Sequence, residues 1–205
     1  MTPIRGVLAI VAATAGLAAA AAGPGSSEQA TRLAVEISAG GDHISAPELA
    51  DRIMKRDPTL QIFDLRSASE YEQLHIASAQ HASMETLARE HPRPDATVVL
   101  YSEGGAHAAQ AWVLLRLRGY RHVYVLREGL YEWISRVLEP KLAVDATPRE
   151  QLEFERAAEQ SRYFGGLPLA GVARSEVPVG YWTGEETAPA DITRQAVAGI
   201  RRRGC

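Results

Sequence analysis

Short apolar runs of strand length alternate along this chain with longer stretches of helical period. LQIFDL (60–65), TVVLY (97–101) and HVYVL (122–126) are the clearest runs, and TVVLY is continuous enough for a strand buried on both faces. Between and around them lie four helical patterns. ISAPELADRIMKRD carries an S-x-x-E capping box, Ser45 to Glu48, with Leu49 and Ile53 four residues apart on one face. SASEYEQL opens with a second such box, Ser67 to Glu70. AHAAQAWVLLRLR (106–118) puts Ala111, Trp112 and Leu115 on one stripe and meets a left-handed stop at Gly119. GLYEWISRVL starts at Gly129 and closes before Pro140. HIASAQHASM reads as a strand leaving a loop, and Pro92 with Pro94 as a turn into TVVLY. Such alternation predicts an α/β domain over residues 42–140, a central, mainly parallel sheet flanked by helices in three layers.

The flanks differ. Residues 23–41 form an N-terminal helical segment, SSEQATRLAVEIS, stopped by Gly40-Gly41. Residues 141–205 form a helical and irregular C-terminal extension. Thr147-Pro148-Arg149-Glu150 is a capping box with proline at the first helical position, and its helix ends at Gly165-Gly166. From 165 to 190 the composition is loop-like, but Leu167, Leu169, Val172, Tyr181 and Trp182 are costly to leave in water, so the segment should drape over the domain. A last short helix is expected from Asp191 to about Arg201. The first 22 residues read as a secretory signal peptide: Arg5, then VLAIVAATAGLAAAAA, then Ala20 and Ala22 in an A-x-A pattern. A periplasmic or secreted location follows, the alternative being an uncleaved membrane anchor over residues 4–22, the one route to a membrane.

Composition narrows the chemistry. At 205 residues and 46% hydrophobic content there is material for one good core. A net charge of −3, with RRR at 201–203 as the only basic cluster, argues against a nucleic-acid partner. The histidines at 43, 81, 91 and 122 lack metal-ligand spacing, and neither a metal nor another cofactor is called for. Cys205 is the only cysteine and the last residue, which leaves a disulfide-linked dimer, a free thiol or an incidental tail residue.

Ligands of an open parallel sheet bind where strands run into helix N-termini, and VVLYSEGGAHAAQAW has that character. Here the order ISAPELADRI, FDLRSASEYEQLHIASA, VVLYSEGGAHAAQAWVLLRLRGY, VYVLREGLYEW resembles the rhodanese-like family between residues 44 and 133. The resemblance implies that fold, and an active-site loop which in active members reads C-x-x-G-x-R and carries a persulfide on its cysteine. The corresponding residues are Ser102, Glu103, Gly104, Gly105, Ala106 and His107. Gly105 matches, Ser102 replaces the cysteine and His107 the arginine. Leu74 replaces the usual glycine before His75, and Ala77-Ser78 the usual Pro-Gly after it.

Sulfur transfer needs a polarisable thiolate, and a thiol of pKa about 8.5 is lowered further by loop amides and a helix N-terminus. A hydroxyl stays protonated in the same field and holds no persulfide. Serine catalysis by Ser102 lacks a third orienting group beside His107 and Glu103, and the family's phosphatase relatives use a cysteine and an arginine that are absent here. The expectation is therefore an exported, catalytically silent domain that binds or regulates, its partner an unidentified protein or a small oxyanion held by residues 102–107. His107 would help hold such an anion, or else merely cap a tight turn. The alternative is a sulfurtransferase or thiol-redox enzyme using Cys205. His75, Asp64 and Arg66 match family positions read as buried hydrogen-bond and ion-pair architecture, and Tyr131 and Trp133 as helix packing.

Overall fold

The computed structural model describes residues 24–103, 105–178 and 181–182, and the chain divides into two units, 1–42 and 43–205. The signal-like segment, the expected helix from Asp191, the RRR cluster and Cys205 lie outside the described residues. Among the described residues no helix is long and apolar enough to cross a membrane.

The first unit holds α1, Pro24–Ser38, closed by a turn in which Gly40 takes φ +66°. In the second, chain order runs β1 (His43–Ile44), α2 (Ala46–Met54), β2 (Leu60–Asp64), α3 (Ala68–Gln73), β3 (Ala79–His81), α4 (Met84–Arg89), β4 (Thr97–Tyr101), α5 (Ala106–Leu117) and β5 (Val123–Leu126). There follow α6 (Leu130–Glu132), running on as a π-helical turn Trp133–Leu138, then β6 (Lys141–Ala143), α7 (Pro148–Tyr163), β7 (Leu169–Val172) and a 3₁₀ turn at Arg174–Glu176. The five strands β1-β5-β4-β2-β3 make one all-parallel sheet. Central β4 is buried from Val98 to Tyr101, as a strand covered on both faces must be.

The predicted caps are in place. Ser45 Oγ accepts from Glu48 N at 3.3 Å, although the Glu48 carboxylate turns to Arg52 rather than back to Ser45. At α3 and α7 both halves of the box close: Ser67 N donates to Glu70 Oε2 at 2.9 Å, and Thr147 N to Glu150 Oε2 at 2.7 Å. Ala111, Trp112 and Leu115 are the buried stripe of α5, and Trp112 Nε1 donates to Val123 O at 2.8 Å.

Four features depart from the sequence reading. β1 and α4 were not expected. The helix from Gly129 is mostly a π turn. Within the extension, β6 and β7 pair as a two-stranded parallel sheet where only loop was foreseen. Tyr181 is buried and Trp182 half-buried, as a draped segment requires, whereas Leu167 and Leu169 stay exposed. α7 packs onto the π turn: Phe164 meets Trp133 edge-on at 4.9 Å, and Ser161 Oγ donates to Leu138 O at 2.8 Å.

Candidate functional site

β4 ends at Tyr101, and the next residue, Ser102, turns out of the sheet toward the start of α5. Parallel strands present their carboxyl ends together, so β2 delivers Asp64 and β5 delivers the 127–129 loop to the same rim. Ser102 is 1% exposed, and its Oγ accepts from Ala108 N, an amide of the first turn of α5, at 3.4 Å. Gly105, the N-cap residue, takes φ +78° and makes no side-chain cap bond. The expectation that His107 caps the turn is therefore corrected: Ser102 does so, and His107 sits exposed on the first turn with Ala106. Glu103 is exposed too, its carboxyl in hydrogen-bonding reach of Glu70. Gly104 is outside the described residues.

The loop is closed from the β5 side by Gly129. Its φ is +58°, and a Cβ built there would collide with the Ser102 carbonyl oxygen, so only glycine allows this approach. The sequence reading treated Gly129 as a helix start alone; its position opposite the 102 loop is a tertiary fact.

Beneath the loop lies a buried ion pair. Arg66 Nε reaches Asp64 Oδ1 at 2.9 Å and Oδ2 at 3.1 Å, and Arg66 Nη2 donates to Asp64 Oδ2 at 2.5 Å and to Leu74 O at 2.6 Å. Burial works against the guanidinium charge, but the facing Asp64 carboxylate outweighs it and holds Arg66 above its ordinary range. The guanidinium also stands 5.7 Å from the Tyr101 ring centroid. Burial, and then the Asp64 charge, push the Tyr101 phenol well above its usual range, and its oxygen accepts from Ile76 N at 3.1 Å. The Glu70 carboxyl is lowered, first by the Ser67 hydroxyl and amide.

Asp64 and Arg66 are thus the buried pair expected, but His75 is not part of it. His75 is exposed, its ring stacked on Tyr71 at 4.1 Å and its Nδ1 2.9 Å from Tyr71 O. Leu74, in place of the family glycine, has φ −164°, an extended backbone any residue adopts. Ser78, in place of the second, keeps φ +68° and is strained. Trp133 is buried and Tyr131 half-buried, in keeping with packing.

Several known proteins are similar to this chain. The family model described as rhodanese-like domain matches residues 45–136. The Alr3790 protein of Anabaena sp. is 30% identical, over 44% of this chain and 74% of that chain, with a TM-score of 0.42. A rhodanese-like domain protein from Staphylococcus aureus is 23% identical, over 45% of this chain and 90% of that one, with a TM-score of 0.40. Among curated proteins, a tRNA uridine(34) hydroxylase of Erwinia tasmaniensis is 27% identical over 128 residues, 58% of this chain. The match covers 36% of that relative, so the chain spans about a third of the length of such curated relatives. Residues 45–136 of this chain are a rhodanese-like domain.

Proposed function

We propose that this chain is an exported, catalytically silent rhodanese-like domain that serves as a binding or regulatory module. The observation that carries the reading is Ser102. It stands at the end of β4 where the family's loop cysteine is expected, and its hydroxyl is buried against a helix amide instead of being presented to a substrate. A hydroxyl so placed satisfies one of the unpaired N–H groups at the start of α5, a stabilising role that needs no chemistry.

Of the two kinds of partner, a protein is favoured over a small oxyanion. A helix N-terminus stabilises an anion by about 0.3–1 kcal/mol at an exposed site. A nearby carboxylate opposes it, and this loop carries Glu103 beside Glu70. Replacing Glu103 by Gln is accordingly expected to raise thiosulfate affinity, read as a larger ligand-induced rise in melting temperature. An unchanged response would remove Glu103 from the account.

The inactivity is tested by thiosulfate:cyanide sulfurtransferase assays. The parent protein is expected to be silent and Ser102→Cys to remain so, the side chain at this position being buried against a helix amide; turnover in Ser102→Cys would put the silence down to the missing thiol alone. Activity of the parent that survives Ser102→Ala combined with Cys205→Ser would overturn the reading. Export is tested separately, by N-terminal sequencing of the mature protein, with a new terminus near Gly23 expected. The tRNA-hydroxylase name belongs to relatives of which this chain spans about a third, and a net charge of −3 does not favour a polyanionic substrate.

A further inference from the structure

Glu132, at the junction of α6 and the π turn, is a charge-bearing group in the core that the site does not use. It is 2% exposed. Its Oε2 accepts from Ala46 N, the first amide of α2, at 2.9 Å. Its Oε1 is buried with no hydrogen-bond partner, and the nearest cation, Arg136 Nη1, stands 3.8 Å away, beyond hydrogen-bonding distance. The other amino group of the guanidinium is engaged elsewhere. Arg136 Nη2 donates to the Tyr181 carbonyl, and the group lies over the Tyr181 ring, 4.9 Å from its centroid. Tyr181 in turn donates its hydroxyl to Ser135 O.

We propose that Glu132 and Tyr181 compete for the single guanidinium of Arg136, so that ionisation of Glu132 loosens the strap formed by Val177, Pro178, Tyr181 and Trp182. With Glu132 protonated, Arg136 stays on the Tyr181 carbonyl and ring and the strap is held. With Glu132 ionised, a charge whose Oε1 has no hydrogen-bond donor in a low-dielectric interior draws the guanidinium onto Oε1 and away from Tyr181. Tyr131, Ile134 and Tyr181 line a cavity of about 100 Å³ under the strap, so release uncovers an apolar surface next to the domain.

The groups facing Glu132 set where this happens. Burial raises its pKa; the Ala46 amide, Arg136 and Arg127 lower it; Glu128 raises it. The balance leaves it pushed up to about 7. The strap is held below that value and released above it.

Hydrogen exchange of the full chain tests this, from about pH 5.5 to about pH 8.5, with the exposed helix α3 as internal reference so that the intrinsic pH dependence cancels. The ratio of strap to reference exchange is expected to rise about tenfold across the range in the parent. In Glu132→Gln it should stay at its acid value, and in Arg136→Gln it should be high throughout. A flat ratio in the parent overturns the proposal, and so does a Glu132→Gln protein that follows the parent. If Glu132→Gln fails to fold, the parent ratio alone decides.

Discussion

Ser78 is a non-glycine residue at φ +68° in the position where the family uses glycine. Nothing about its exposed side chain requires serine, so the backbone strain is uncompensated. Ser78→Gly is expected to stabilise the fold by about 1 kcal/mol, seen as a higher urea midpoint at unchanged slope. No change or a loss would mean that the serine hydroxyl supplies an offsetting bond. Gly129 is the converse case. Gly129→Ala must place a Cβ against the Ser102 carbonyl at a positive φ, and a loss of more than about 2 kcal/mol is expected by chemical denaturation. At Glu132 the effect depends on pH. A folded-state carboxyl raised from 4.5 to about 7 means the native state holds the proton more tightly than the unfolded chain. Its contribution to stability is complete below about pH 4.5 and declines as pH rises to about 7. Glu132→Gln removes that decline, and should raise stability by about 2–3 kcal/mol at pH 8 while leaving it nearly unchanged at pH 4.5. Thermal unfolding at the two pH values checks it, and equal shifts at both would mean the carboxyl is not buried as a charge.

At the scale of elements, capping explains most of what was legible. α2, α3, α5 and α7 each announce themselves by period and by a cap, and β2, β4 and β5 by apolar runs bounded with turn residues. α4 escaped because Ser83 caps Thr86 N at 3.0 Å without a Glu or Gln three residues on, so only half of the usual signature is written in the sequence. β1 escaped because two residues carry no periodicity, and β6 with β7 because parallel partners 28 residues apart, Lys141 and Leu169, share no local pattern. The cap on α5 is the element that ties fold to site. Since Ser102 supplies it from outside the helix, Ser102→Ala should cost about 1 kcal/mol of stability, whatever its effect on activity. A neutral result would leave the hydroxyl free for another role. The 3₁₀ turn is pinned in the same manner. Arg174 Nη1 donates to Glu150 Oε1 at 2.6 Å and Nε to Asp145 Oδ1 at 2.9 Å, and the Glu150 carboxyl is lowered to about 2, first by Arg174. That contribution is present above about pH 4.5 and fades as pH falls toward 2.

For the whole molecule, the family match ends at residue 136, but the packing does not. Gln160 Nε2 donates to Asp51 Oδ1 at 2.7 Å and to Pro47 O at 3.0 Å, and Gly166 sits against Leu138 where a Cβ would not fit. Phe164 covers Trp133. A chain ended at residue 140 should therefore expose the face of Trp133 and Ile134, and is expected to aggregate or to lose a cooperative transition. A sharp two-state melt of that fragment would show the extension to be an accessory layer only.

The chain's own pattern determined the class of fold, the order of its central strands and helices, and the loop in which chemistry was to be sought, because periodicity, caps and turn residues act over a few neighbours. Only the tertiary structure decided that Ser102 points into the start of α5, that Gly129 closes its loop, that His75 lies outside the Asp64–Arg66 pair, and that Glu132 is buried beside an arginine already engaged by Tyr181. The contacts reach across as many as 86 positions of the chain. They depend on how parallel strands bring their ends together, and no local propensity encodes a distance across the sheet.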